Sequence, residues 1–166
     1  MFYRSSKNKL FKGLIAGALG GLAASWTMTQ FQVRLSRALG QSHPHGDEEE
    51  DATEKTAQMV SSALLHHELS GDEKKAAAPV VHYAYGTGIG VLYGGLVQKQ
   101  AAATSGFGTG YGAAIWAIGD EIAVPLLGLS KKASETPVSQ HLQYLAAHLV
   151  YGVTLEGVRR LALKML

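Results

Sequence analysis

Residues 106–129 read GFGTGYGAAIWAIGDEIAVPLLGL. A helix needs about 20 mainly apolar residues to cross the hydrocarbon of a bilayer, and this stretch is long enough. It nevertheless carries adjacent acids, Asp120 and Glu121. Lipid tails cannot solvate a carboxylate, so acids in a span face protein or trapped water and often mark a functional site. Pro125 lacks the amide proton that would bond the carbonyl of Glu121, which predicts a kink or local opening beside the acidic pair. The stretch therefore reads as a membrane span with a polar inner face.

Working outward, residues 10–35, 80–98 and 138–161 are apolar stretches of the same kind. Together they predict an all-α integral membrane bundle of four transmembrane helices, a single domain over 1–166. A polar segment at about 37–79 joins the first two spans and lowers the mean hydropathy of the chain to near zero. The first stretch is too long for the core of a signal peptide, and Trp26, Thr27, Thr29 and Gln30 continue it in amphipathic fashion. Small residues recur every fourth position at Gly13, Gly17, Gly21 and Ser25, and again at Gly86, Gly90 and Gly94. That spacing leaves a smooth face on which a neighbouring helix backbone approaches closely.

The polar segment opens with Ser42, His43, Pro44, His45 and Gly46, followed by the acidic run Asp47 to Asp51. Clustered like charges and chain breakers make this a solvated linker rather than a metal site. From Ala52 to Leu69 the periodicity turns helical through Met59, Val60, Ala63, Leu64 and His67, which predicts an additional amphipathic helix lying on the membrane or against the bundle. Gly71 reads as its stop signal and Asp72 to Lys75 as a charged turn.

Absence of cysteine rules out disulfides and thiolate chemistry. The net charge of +2 is scattered, without the basic stripe of nucleic-acid binding. Glycine runs at 86–90 and 106–112 lack the preceding strand and the Lys-Ser/Thr ending of a phosphate loop. No hydrolase arrangement stands out, so the chain reads as no enzyme, with no cofactor and no metal. Lys and Arg number eight on the side of the chain ends and the 99–104 turn and seven on the other, which leans toward cytoplasmic termini and an external acidic loop.

If the third and fourth spans are antiparallel, Asp120, Glu121 and His148 lie at a common depth of about 12–15 Å. His82 and His141 fall nearer the same outer boundary, which gathers these five residues into one polar membrane cluster. His141, Tyr144, His148 and Tyr151 form a stripe on the fourth span, and Glu156 and Arg160 an (i, i+4) pair. The cluster suits a proton relay or ion site, because an imidazole and a carboxylate exchange protons. It equally suits a hydrogen-bonded pair that holds helices together, which burial alone would require.

His82 at the start of one span, Pro125-Leu126-Leu127-Gly128-Leu129 at the end of the next, and His148-Leu149-Val150-Tyr151 followed by Glu156 and Arg159-Arg160 resemble the YagU-like family of bacterial inner-membrane proteins. The resemblance covers about 79–161 and leaves the acidic loop particular to this chain. It implies a multi-pass protein of the inner membrane with a suggested link to acid tolerance. The expected function is a structural or accessory subunit packing through glycine-rich faces, with protein partners or a second copy in the bilayer. A proton- or ion-handling protein is the alternative.

Overall fold

The structure, a computed structural model, describes residues 2–40 and 51–166. The His43-Pro44-His45 linker and most of the acidic run lie outside these residues. The described chain is all helical: α1 (Phe2–Ala38), α2 (Ala52–Leu65), α3 (Gly71–Val97), α4 (Thr109–Ile115), a π-helical stretch (Trp116–Ala123), the short α5 (Val124–Leu126) and α6 (Val138–Met165).

α1 lies between α3 and α6 and packs extensively on both, while α4 covers another face of α6. The α1–α3 contact is backbone against backbone. A Cβ built on Gly17 would sit 2.2 Å from the Gly90 carbonyl oxygen, one on Gly21 2.5 Å from that of Gly86, and one on Gly94 2.1 Å from that of Gly13. Rising numbers on α1 meet falling numbers on α3, so the two run antiparallel. Such closeness maximises dispersion contact between the two backbones.

The same device joins α4 to α6. A Cβ on Gly112 would meet the His148 carbonyl oxygen at 2.1 Å and one on Gly152 that of Gly108 at 2.2 Å. Gly108 also has φ +87°, a left-handed conformation that a side chain would strain, and it ends an irregular 3₁₀ stretch at Ala101–Gly108. Between α1 and α6, Gly20 abuts Leu155 and the Thr27 and Thr154 hydroxyls are 3.0 Å apart.

Glycine, alanine, serine and tyrosine make up most of the buried residues. The largest fully buried side chains are Tyr93, Tyr151, Leu155, Glu156 and Ser25. Large aliphatic side chains point outward instead, with Leu92 65%, Ile118 62%, Leu126 80% and Leu142 60% exposed.

The polar segment at 37–79 differs from its sequence reading. α2 starts at Asp51, whose carboxylate accepts from the amides of Thr53 and Glu54 at 2.8 and 2.9 Å, and ends at His66 in a left-handed conformation. Gly71 is not its stop signal. It opens α3, because Ser70 and Glu73 form a reciprocal capping box in which the Ser70 amide donates to Glu73 Oε2 at 2.7 Å. Asp72 to Lys75 are thus the first turn of α3, and Pro79 lies inside that helix. At the third stretch, helix begins only at Thr109.

Candidate functional site

Pro125 shapes the polar face of the third stretch. Its ring would clash with the carbonyl of Glu121 in a regular α-helix, and the backbone responds by widening into a π-helix over Trp116–Ala123, in which Val124 bonds back to Gly119. Asp120 and Glu121 sit in this widened turn.

Of the five residues of the expected cluster, the structure brings four together as two histidine–carboxylate pairs and places His82 against α1. His141 Nδ1 lies 2.6 Å from Glu121 Oε1, with both side chains about one-fifth exposed. His148 Nδ1 is 2.9 Å from the Tyr144 carbonyl oxygen and 3.6 Å from Asp120 Oδ2. A carbonyl only accepts, so the Nδ1 that faces it carries a proton, and Asp120 Oδ2 at 3.6 Å lies beyond hydrogen-bond distance of that nitrogen. His82 faces α1, with Nε2 3.3 Å from Thr29 Oγ1 and 3.4 Å from the Ser25 carbonyl oxygen. Asp120 and Glu121 diverge around their turn, and each takes a different histidine of α6.

A second polar layer lies toward the other end of the bundle. The Glu156 carboxylate is fully buried and accepts four hydrogen bonds: from Arg159 Nε at 2.7 Å and Nη2 at 3.0 Å, from Arg160 Nε at 2.5 Å, and from the Tyr93 hydroxyl at 2.9 Å. The Arg160 guanidinium rests 4.7 Å from the Phe107 ring centre. Sequence spacing reveals the Glu156–Arg160 pair, and Arg159 at i+3 is a second signal of the same kind. Tyr93 reaches this group from α3, which no local pattern announces.

Tyrosines occupy the interior between the two layers. Tyr151 donates to the Gly86 carbonyl and Tyr111 to that of Ile89, and the Tyr93 and Tyr111 rings are 4.6 Å apart. Each hydroxyl proton is held by a backbone carbonyl or by Glu156. The tyrosines therefore tie helices together and give the carbonyls of Gly86 and Ile89 a second hydrogen bond. Among the described residues, no three His, Asp or Glu side chains converge as a metal site.

No curated protein and no solved structure matches the chain. The model of a protein family of unknown function, DUF1440, matches residues 48–157. The match takes in α2, α3, the π-helical stretch and α6 as far as Gly157. It begins inside the acidic run, so residues 48–78 belong to the matched region together with the stretch that follows Pro79. The chain belongs to the DUF1440 family.

Proposed function

We propose that this chain is a small four-span protein of the bacterial inner membrane, of the YagU-like kind, whose work is structural or accessory. The observation that carries this reading is the arrangement of the bundle, with glycine, tyrosine and charge inside and leucine and isoleucine outside. Water would not tolerate that outer surface and lipid would solvate it. Asn8–Ala38 is long and apolar enough to cross a membrane. Glycine, tyrosine and histidine lower the hydropathy of α3 and α6, and the π-helical turn divides the third stretch. In this reading Leu64 and Leu65 of α2, both three-quarters exposed, rest on the outer bilayer surface.

The glycine faces of α1 and α3 are occupied by one another, so contact with a protein partner falls to the outward aliphatic surface. Alkaline washing of membranes tests the location: the chain is expected to stay in the pellet, and release into the supernatant or recovery from cytosol defeats the reading. Purification in mild detergent tests the role, with a co-purifying membrane partner expected.

One observation favours the proton- or ion-handling alternative, namely that a π-helical turn presents Asp120 and Glu121 to His148 and His141. Proteoliposomes would then show flux that Asp120→Asn, Glu121→Gln or His148→Gln abolishes. Flux unchanged in all three variants eliminates it.

A further inference from the structure

An open groove of about 440 Å³ runs along α3. Leu10 and Leu14 of α1 form one wall, Leu92, Gly95 and Leu96 form its floor, and Lys99 stands at its end. From Leu92 to Lys99 the groove extends about 10 Å by helical rise. Cations surround that end of the bundle: Lys9, Lys12, Arg160 and Lys164 join Lys99 there, and Arg159 lies buried beneath them. The one acidic side chain among the described residues of this end, Glu156, already accepts from both guanidiniums, and Lys12 Nζ donates to the Leu166 main-chain oxygen.

We propose that this groove holds an acyl chain of an anionic phospholipid whose headgroup is bound by Lys99 and the exposed cations beside it. The inference rests on the membrane reading. Its occupant follows from polarity along the groove: an apolar floor open to the side, and positive charge at one end only. An amphiphile with a negative head matches both features, whereas a zwitterionic lipid matches only the first. Gly95 contributes by leaving the floor low, since a Cβ there would already stand 3.3 Å from Leu14 Cδ2.

The test is thermal unfolding of the full chain in detergent micelles carrying phosphatidylglycerol or phosphatidylcholine with the same acyl chains. Phosphatidylglycerol is expected to raise the midpoint by about 3 °C more than phosphatidylcholine. Lys99→Gln removes the charge and Leu92→Trp fills the groove, and each is expected to abolish the difference. The Lys131→Gln, Lys132→Gln double variant at the opposite end should retain it. Equal shifts from the two lipids, or a preference that survives Lys99→Gln, overturn the proposal. Glycerol phosphate, which has the head without the chain, should produce no shift, and an equal shift from it also overturns the groove. A chain found in cytosol defeats the membrane reading itself, whereas a membrane-embedded chain indifferent to phosphatidylglycerol defeats only this inference.

Discussion

At the residue scale, Glu156 has the most at stake. It is fully buried, and its charge is matched by Arg159 and Arg160 and by the Tyr93 hydroxyl. Removing the carboxylate strands a buried guanidinium, which costs about 3–5 kcal/mol, whereas removing one hydroxyl from a carboxylate with three other donors costs about 1 kcal/mol. Glu156→Ala should therefore lose far more resistance to unfolding in detergent than Tyr93→Phe. Equal losses would show that the ion pairs do not hold this end together. Spacing within α6 announces two of these partners, because arginines at i+3 and i+4 share a face with Glu156. Tyr93 is 63 positions away, and only the closed bundle brings it there.

At the element scale, the spacing of Gly13, Gly17 and Gly21 states that α1 has a smooth face but not which helix fills it. The carbonyls of Gly86, Gly90 and Gly94 do so. Gly17→Val is expected to push α1 from α3 and cost about 3 kcal/mol. Gly88→Ala, whose Cβ meets nothing within 4 Å, should stay within about 0.5 kcal/mol of the parent. Thermal unfolding of both variants in one detergent checks the contrast, and similar losses would count against the backbone contact. Pro125 signals a disturbance near Asp120, but not that the turn widens or that the two acids take separate histidines. At α3 the start signal is Ser70 with Glu73 three positions on, and Gly71 between them has the character of a helix stop. Bonds from the Ser70 amide, chiefly, and from its hydroxyl hold the Glu73 carboxyl below 4.5. A lowered folded value means that this contribution is complete above the unfolded value and is lost as pH falls through the folded one. Protection of the Ser70 amide should accordingly weaken in acid below pH 4.5. Glu73→Gln should remove that dependence; if it persists in that variant, another group is responsible.

At the scale of the whole molecule, the chain contains no cysteine, so single introduced thiols report sidedness without background. Cytoplasmic termini would place Lys99 inside the cell and Glu68 and Ser134 outside. An impermeant maleimide applied to intact cells should label Glu68→Cys and Ser134→Cys and spare Lys99→Cys; the opposite pattern inverts the orientation. The near balance of Lys and Arg explains why sequence alone leaves this weakly marked. The position of α1 between α3 and α6 has a further consequence for biosynthesis. During synthesis α1 precedes α6 by about 100 residues and finds one of its two main partners only when α6 has been made. The bundle therefore closes only after α6 has been made, and until then the α6-facing side of α1 is without its mate. Interruption before residue 138 leaves Glu121 and Asp120 without the histidines of α6 and Tyr93 without its carboxylate, so the unfinished chain differs from the finished one in three polar contacts.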